Sequence, residues 1–401
     1  MQTQSLKKPR TTVSFTLILV LLLAAQPIAT DLYLPALPSI SHALGPSSSS
    51  LTLFMLGFGV GQLLNGPLAD RFGRRPTLLS GLLLYALAAV HAALSPSVLW
   101  LAACRATQGL AMAALLVCVR AAVRDRYPAH EGPRVLAVGL SGLGLVAMLA
   151  PLLGALVVQA LNWRWALGCM AVYAVVVWCV CYCGFEETLR PEHADQQGSV
   201  LEVFASGSFW AWTMVTAISY VGIFCFLLLS STIYVDYLGL STLAYGWVPA
   251  SGSLVYIGST FLCRRLLHSR SAARTVQIGA MFSLTGATIL VASCVWAPHR
   301  MWPLLVGHWV FALGHGIHQP CGQAGAVANF PHLAARAVSW SGFITMAMAF
   351  CVGQTAVRFM GSNLGNGAWP MVVPMAFCAA LLFLVSRVWL PGLGRSQSVS
   401  A

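Results

Sequence analysis

The sequence has 401 residues, of which 58% are hydrophobic and only 8% are charged, whereas ordinary soluble chains carry about 25% charged residues. A soluble domain of this length would need far more polar surface to cover its core, so the composition excludes that class and makes the lipid bilayer the solvent for most side chains. The net charge of +12 does not indicate nucleic-acid binding, because the basic residues lie in short stretches between apolar runs.

Apolar segments recur along the whole chain, and each can span a hydrocarbon core about 30 Å thick. The first six lie at residues 13–40, 51–68, 77–94, 98–119, 136–161 and 166–185. Six more follow at residues 209–229, 244–263, 275–295, 303–320, 338–357 and 369–389. The pattern predicts an all-α polytopic membrane protein with twelve transmembrane helices in two pseudo-symmetric six-helix bundles.

The same pattern predicts the domain boundaries. We expect an N-terminal bundle at 1–185, a cytoplasmic central loop at 186–206, a C-terminal bundle at 207–390 and a cytoplasmic tail at 391–401. The first apolar run resembles a signal peptide as far as Ala25, but it continues to about Ile40. We therefore expect it to be retained as the first helix.

Basic residues are distributed unequally between alternate loops. If the N-terminus is inside, the outer loops hold only Arg164, Arg300 and Arg358, and the other loop arginines and the lysines lie on the inner side. The positive-inside rule therefore predicts a multi-pass protein of the cell inner membrane with both termini in the cytoplasm.

Two charged residues lie inside apolar segments, where a charge is costly unless it is paired or hydrated. Asp31 is in the first segment and Arg105 in the fourth, at depths that agree to within about one helical turn. A shared water-filled cavity would let protons and a cationic substrate compete for Asp31. The structural alternatives are an interfacial Asp31 neutralised by solvent and an Arg105 that bonds carbonyls of a neighbouring helix.

Prolines interrupt the backbone hydrogen bonds near Asp31. Pro35 has no N–H to give to the carbonyl of Asp31, and Pro27 likewise frees the carbonyl of Leu23. A freed polar backbone group at this depth should face a cavity and not lipid. The prolines therefore favour a functional interpretation of Asp31.

The tenth segment carries His308, His315 and His318, and their spacing puts them on one helical face. Neutral histidines bonded to neighbouring carbonyls are the structural interpretation. Proton relay and stacking with an aromatic substrate are the functional ones, because histidine titrates near neutrality. We predict no metal site here, since too few ligands accompany them.

The stretch between the second and third segments reads Gly66-Pro67-Leu68-Ala69-Asp70-Arg71-Phe72-Gly73-Arg74-Arg75-Pro76. By itself this is a basic turn that sets topology. The combination of Gly66, Asp70, Gly73 and Arg74 is more specific, and it closely resembles motif A of the major facilitator superfamily.

Further stretches resemble the same superfamily. Arg105-Ala106-Thr107-Gln108-Gly109 is similar to its motif B on helix 4, and Asp31-Leu32-Tyr33-Leu34-Pro35 resembles the helix 1 signature of drug:proton antiporters. The Bcr/CflA group, which exports bicyclomycin and phenicols, is the most similar. Asn162-Trp163-Arg164-Trp165 and Glu187-Thr188-Leu189 also fit that group.

One motif departs from the antiporter pattern. Motif C on helix 5 normally reads Gly-Pro, two residues, Gly-Gly, and here the stretch is Ala150-Pro151-Leu152-Leu153-Gly154-Ala155. The kinking Pro151 and Gly154 are retained. The two replacing residues are alanines, which remain small enough for close helix packing.

The resemblance implies a proton-driven antiporter that exports small drug-like molecules. We predict that the proton and substrate site contains Asp31, Tyr33, Arg105, Gln108, His315 and His318. The resemblance also implies a cytoplasmic latch made of Gly66, Asp70, Arg71, Gly73, Arg74, Arg75 and Asp125. In this latch Asp70 would lie near the N-terminus of helix 11, where the helix dipole favours an anion.

The sequence contains no Gly-rich phosphate loop followed by lysine and no His-Glu-x-x-His. We therefore expect no enzymatic activity and no cofactor, with an ion gradient as the energy source. The expected partners are a small drug-like substrate, protons and the bilayer, and we expect a monomer. Three alternatives stay open: proton-coupled uptake or metabolite transport by the same fold, a single substrate instead of many, and a membrane-bound enzyme or receptor.

Overall fold

The computed structural model describes residues 14–127, 131–189, 199–360 and 367–390, and within these ranges the regular structure is entirely helical. The predicted tail at 391–401 and residues 190–198 of the predicted central loop lie outside the described residues. The same holds for several charges used in the topology prediction: Lys7, Lys8, Arg10, Arg190 and Arg395.

The N-terminal half consists of α1 (Phe15–Thr30), α2 (Leu37–Leu44), α3 (Ser49–Phe72), α4 (Arg74–Ala93), α5 (Val98–Arg126), α6 (Gly132–Ala160) and α7 (Trp163–Gly184). The C-terminal half consists of α8 (Val200–Ala205), α9 (Gly207–Ser231), α10 (Thr242–Ser269), α11 (Ala272–Trp296), α12 (Met301–Val327), α13 (Ala334–Met360) and α14 (Trp369–Leu384). Within the described ranges, ten helical segments are long and apolar enough to cross a membrane. With α10 and α12, of 28 and 27 residues, they make the twelve predicted helices.

The first predicted segment is not one continuous helix. It comprises α1, a 3-10 turn at Leu34–Ala36 and the short α2. Pro27 lies inside α1, and Pro35 lies in the 3-10 turn. Since proline cannot donate to the ladder, the chain changes its hydrogen-bonding pattern here and resumes a helix only at Leu37.

Each half packs around its own helices. In the first half α3 and α4 pack on α5, α4 packs on α7, and α1 packs on α6. In the second half α12 packs on α11 and α9, and α14 packs on α9 and α11. The two halves meet along two seams, where α3 faces α13 and α6 faces α10.

Two glycines bring the backbones of α3 and α5 into direct contact. A Cβ added at Gly57 would lie 2.0 Å from the carbonyl oxygen of Ala106, and one at Gly109 would lie 2.0 Å from that of Phe54. Small residues permit such close crossings between membrane helices. The crossing places Arg105, beside Ala106, against the side chain of Phe54.

Two helices end in a turn of π-helix. The turn at Thr232–Tyr237 continues α9, and the turn at Val385–Trp389 continues α14. Such turns widen the helix locally and frequently occur at functional sites. Both turns contain buried residues, Ile233 and Tyr234 in the first and Ser386 in the second.

Candidate functional site

The guanidinium of Arg105 is fully buried in the first half. Its Nη2 donates to the carbonyl oxygen of Ala29 at 2.7 Å, and its Nη1 donates to Oε1 of Gln108 at 2.8 Å. The same group lies over the rings of Tyr33 and Phe54, 4.3 and 4.5 Å from their centroids. Arginine can stack on aromatic faces and form a fork of hydrogen bonds at the same time, and here it does both.

The break in the first helix supplies the carbonyl that Arg105 binds. In a continuous α-helix the oxygen of Ala29 would accept from the N–H of Tyr33, but that N–H donates to Thr30 at 3.2 Å. We expected Pro35 to free the carbonyl of Asp31, and that expectation is wrong. That oxygen accepts from the N–H of Leu34 at 3.4 Å, so the group left for Arg105 is the carbonyl of Ala29.

Asp31 caps the C-terminal end of α1 and forms no ion pair with Arg105, which binds the carbonyl of Ala29 two residues earlier. In the part of the chain that the structure describes, the hydrogen bond to its carboxylate is donated by the Thr30 hydroxyl at 2.8 Å. The 3-10 turn that follows it, Leu34–Ala36, contacts α9 and α10 of the second half. The carboxylate therefore belongs to the surface between the halves, whereas the guanidinium is inside one half.

Tyr33 joins the broken first helix to α3. Its hydroxyl lies 2.7 Å from that of Ser50, and the side chain is fully buried. Met170 of α7 completes the surroundings of Arg105, with its sulfur 3.8 Å from Nη1. The sequence analysis did not identify Ser50, Phe54 or Met170, because neutral residues in apolar segments give no signal of depth or contact.

His315 and His318 share one partner in α9. The hydroxyl of Ser219 lies 2.9 Å from Nδ1 of His315 and 3.3 Å from Nδ1 of His318. The shared partner is thus a side-chain hydroxyl, and His318 also interacts with the backbone of Val276. The interpretation of histidines bonded to carbonyls stays a prediction. The ring of His315 also lies 5.5 Å from that of Tyr256 and 6.5 Å from that of Tyr220, so aromatic groups surround it.

His308 is placed differently. Its ring stacks on Phe226 with centroids 3.4 Å apart and an interplanar angle of 7°. One face of the imidazole is therefore covered by a fixed neighbour and is not available to an aromatic substrate.

The motif A stretch forms a buried ion cluster at one end of the first half. Arg74, with 2% of its side chain exposed, pairs with Asp70 and with Oδ2 of Asp125 at 3.2 Å. Asp125 is 3% exposed, whereas Asp70 is 60% exposed. Arg74 and Asp125, both predicted to belong to the latch, are in contact. The location of Asp70 near the N-terminus of helix 11 (α13) stays a prediction.

Glu187 clamps the turn of this cluster, a role that the sequence analysis did not assign. Its carboxylate accepts from the backbone N–H groups of Arg74 and Arg75 at 2.9 and 3.0 Å. It also accepts from the N–H groups of Thr188 and Leu189. Burial alone would raise the pKa of Glu187, but the four donors outweigh it and the pKa lies below its ordinary value.

The remaining motif A residues hold the turn in shape. Gly73 has φ of 103°, a conformation that favours glycine. Arg75 donates to the carbonyl of Tyr182 at 2.8 Å, and Arg71 lies over the ring of Phe72. Nothing would lie within 4 Å of a Cβ at Gly66, so close packing does not explain that glycine.

The motif C residues of helix 5 (α6) pack against the broken first helix. A Cβ at Gly154 would lie 2.2 Å from the carbonyl oxygen of Leu32, next to Asp31. Pro151 lies inside α6, and its carbonyl faces Gly246 of α10 in the second half. Both predicted residues thus lie beside the surface between the halves, and their role in a kink stays a prediction.

Polar contacts join the halves at the end opposite the Asp70 cluster. Gln354 of α13 lies 3.3 Å from the hydroxyl of Ser49, and its amide donates to Thr52 at 2.9 Å. Nε2 of His42 lies 3.6 Å from Oδ1 of Asp236 in the second half. These contacts close the space between the halves at that end.

Comparison with known proteins gives matches over nearly the whole chain. A family model described as Major Facilitator Superfamily matches residues 19–354. A chloramphenicol resistance protein of Pseudomonas aeruginosa is 29% identical over 370 residues, covering 89% of this chain and 85% of the relative. A bicyclomycin resistance protein homolog of Haemophilus influenzae is 25% identical and covers 95% and 98%. Multidrug resistance protein D of Escherichia coli is 28% identical and covers 82% and 85%.

Solved structures share the fold. A bacterial homolog of the human lysosomal transporter Spinster, in an inward-facing and occupied conformation, superimposes with a TM-score of 0.73 at 17% identity, covering 94% of this chain and 97% of that one. A D-xylose-proton symporter gives 0.73 at 15% identity, covering 92% and 97%. At these identities the likeness establishes the architecture alone.

Proposed function

Because the chain belongs to the Major Facilitator Superfamily, we propose that it exports small drug-like molecules in exchange for protons. The resemblance to Bcr/CflA-type exporters is confirmed by relatives named for resistance to chloramphenicol, to bicyclomycin and to multiple drugs. The protein is a multi-pass membrane transporter of small molecules. We further propose that it is a monomer of the cell inner membrane. The loop charges support the placement of both termini in the cytoplasm.

The observation that carries the proposal is the position of Asp31. Its carboxylate lies at the break of the first helix, and the 3-10 turn of that break contacts α9 and α10 of the opposite half. It has no arginine ion pair in the described part of the chain. A carboxylate without a fixed counter-charge can exchange a proton without first breaking a salt bridge.

Proton exchange at Asp31 would drive transport because the proton and the drug compete for the same site. In the state open to the more acidic outer side, the carboxylate takes up a proton. After the halves rock and open the site to the cytoplasm, proton loss favours binding of the drug. The aromatic surroundings of His315, together with the shared hydroxyl of Ser219, offer a surface for an aromatic or polar substrate on the opposite half.

Arg105 would act on Asp31 indirectly. By binding the carbonyl of Ala29 at 2.7 Å, it fixes the end of α1 from which the carboxylate projects. Its permanent positive charge also favours the ionised form of an acid nearby. We therefore assign it a positioning role and assign proton exchange to Asp31.

Export is tested in inverted membrane vesicles that contain the protein. With the vesicle interior acidic, radiolabelled chloramphenicol should accumulate inside, and nigericin, which dissipates the pH gradient, should abolish the accumulation. Vesicles without the protein are the control. Accumulation that persists after nigericin would contradict proton coupling, and a gradient-driven loss of drug from the vesicles would indicate the uptake alternative.

A further inference from the structure

A small basic pocket lies between α11 and the π-helical turn that ends α14. Its volume is about 170 Å³. It is lined by Arg270, Arg274, Gln277, Ile278, Met281 and Arg387. The pocket is at the end of the molecule where α10 passes into α11, far from the surface between the halves. The transport mechanism proposed above does not use it.

The three arginines form an uncompensated positive cluster. Among the residues that the structure describes, none of them takes part in an ion pair. Arg274 donates to Oε1 of Gln277 at 3.2 Å, and Arg387 lies over the ring of Phe383. Like charges gathered around one pocket repel each other unless an anion lies between them. The cluster therefore favours a ligand with negative charge.

A hydrogen bond fixes the two walls of the pocket. Nε2 of Gln277 donates to the carbonyl of Ser386 at 3.0 Å. The same glutamine accepts from Arg274, so the two arginines on opposite walls, Arg274 and Arg387, are held close together. The site therefore needs little rearrangement to receive an anion, which lowers the entropic cost of binding.

The floor of the pocket continues into the apolar surface of α11 and α14 that faces the lipid. Met281 lies seven residues after Arg274, about 10 Å deeper along α11, and it is 47% exposed. Leu384 and Val388, at the end of α14, are also exposed. A soluble anion would gain nothing from these side chains, whereas a lipid would bury its chains on them.

We propose that this pocket binds an anionic phospholipid of the surrounding leaflet. The headgroup phosphate lies among Arg270, Arg274 and Arg387, and an acyl chain follows Ile278 and Met281. Guanidinium groups bind phosphate by paired hydrogen bonds, and basic pockets between membrane helices are suited to acidic headgroups. The inference is independent of the substrate that the protein transports.

The test is native mass spectrometry of the full-length protein in detergent, titrated with dioleoylphosphatidylglycerol. The double variant R274Q/R387Q should bind this lipid roughly thirty-fold more weakly at its tightest site, given the usual contribution of a basic residue near an anionic membrane. The matched control is R264Q/R265Q, which removes two exposed arginines at the same end of the molecule but outside the pocket. It should bind like the wild type.

Two further measurements keep the test decisive. Arg270→Gln, at an exposed side chain with no described hydrogen bond, should weaken binding about five-fold without disturbing the fold. Dioleoylphosphatidylethanolamine should not compete, and neither should inorganic phosphate at millimolar concentration. Equal binding by R274Q/R387Q and its control would overturn the proposal. Competition by phosphate would overturn it in favour of a soluble anion.

Discussion

At the scale of single residues, Arg105 and Asp31 perform different tasks although the sequence places them at similar depths in the membrane. The guanidinium of Arg105 binds the carbonyl of Ala29 and the side-chain amide of Gln108, and it lies over two aromatic rings. The carboxylate is left with a threonine hydroxyl. An acid without a fixed ion pair can therefore change its charge while the hydrogen bonds of Arg105 stay in place.

Asp31→Asn is expected to abolish pH-driven drug accumulation in inverted vesicles, because asparagine keeps size and hydrogen bonding but cannot release a proton. Asp31→Glu should retain partial activity with a shifted pH dependence, since the ionisable group moves by one methylene. The matched control is Glu202→Gln, which removes an exposed carboxylate paired with His332 and should transport normally. Drug-induced proton release that persists in Asp31→Asn would refute the assignment, and His315 would be tested next.

The sequence was sufficient to find these two residues because a charge at membrane depth is conspicuous. It was not sufficient to pair them correctly. The carbonyl that Arg105 binds is exposed only because Tyr33 N–H turns back to Thr30, a local change of hydrogen bonding that proline positions alone do not define. The contacts of Ser219 with His315 and His318 could not be predicted from the sequence either, because serine is common in apolar segments.

At the scale of elements, the broken first helix depends on the helix behind it. Gly154 of α6 lets the carbonyl of Leu32 approach where a side chain would otherwise stand. Motif C has alanine at two of its three glycine positions, but it keeps Gly154, which makes this contact with Leu32. The break in helix 1 and the glycine in α6 form one structural unit.

Gly154→Ala should lower the stability of the protein by about 1–3 kcal/mol, the usual cost of overpacking, and should reduce transport. The comparison is Gly258→Ala, also within a helix, where nothing lies within 4 Å of the added Cβ. That variant should not lower stability, because alanine is favoured over glycine inside a helix by up to about 1 kcal/mol. Thermal unfolding in detergent measures both, and equal melting temperatures would show that α6 moves away without penalty.

The motif A turn combines a buried and an exposed carboxylate around one arginine. Asp125 is buried with Arg74, whereas Asp70 is largely exposed. Glu187 holds the backbone of the turn, and its pKa in the folded protein is lower than that of an ordinary glutamate. The stabilisation by its ionised carboxylate is therefore complete above the ordinary pKa of glutamate. It is lost only when the pH falls through the lower pKa of the folded state. Mild acidification therefore leaves the turn intact.

Asp70→Asn is expected to impair transport while membrane insertion and stability stay within about 1 kcal/mol of wild type, because the exposed ion pair is weak. Asp125→Asn should impair transport and also destabilise the protein by up to about 3–5 kcal/mol, since it removes a buried counter-charge of Arg74. Transport rates and thermal unfolding of the two variants separate these effects. Full transport by Asp70→Asn would leave the motif as a topology signal only.

At the scale of the whole molecule, one group of described polar contacts between the halves lies at one end. Ser49 and Thr52 meet Gln354 there, and His42 meets Asp236. Others, such as the hydrogen bond from Ser253 to the carbonyl of Ala147, lie further along the helices. The Asp70 cluster is at the opposite end of α3. For the halves to rock, the first set of contacts must separate in each cycle.

A disulfide between S49C and Q354C should therefore stop transport, and a reductant should restore it. The substitutions are made in a chain without its twelve native cysteines. The control pair is T213C with S341C, whose hydroxyls lie 3.2 Å apart within the second half. That crosslink should leave transport intact, because it does not join the two halves. Transport by the oxidised S49C/Q354C protein would exclude rocking at this seam.

The architecture was predictable because each helix had to be long and apolar enough to cross the bilayer. What could not be predicted was how the helices pair. The crossing of α3 and α5 depends on Gly57 and Gly109 facing opposite backbones, and single glycines among 36 do not reveal their partners. The clamp by Glu187 likewise joins residues more than one hundred positions apart.

The backbone contact between α3 and α5 has a consequence for how resistance can evolve. Because Gly57 and Gly109 meet carbonyl groups and not side chains, the scaffold around Arg105 does not depend on the identity of the residues that face the opposite half. Under antibiotic selection those facing positions can be exchanged one at a time while the scaffold persists. We expect drug-selected variants of this transporter to accumulate substitutions there, and to retain both glycines.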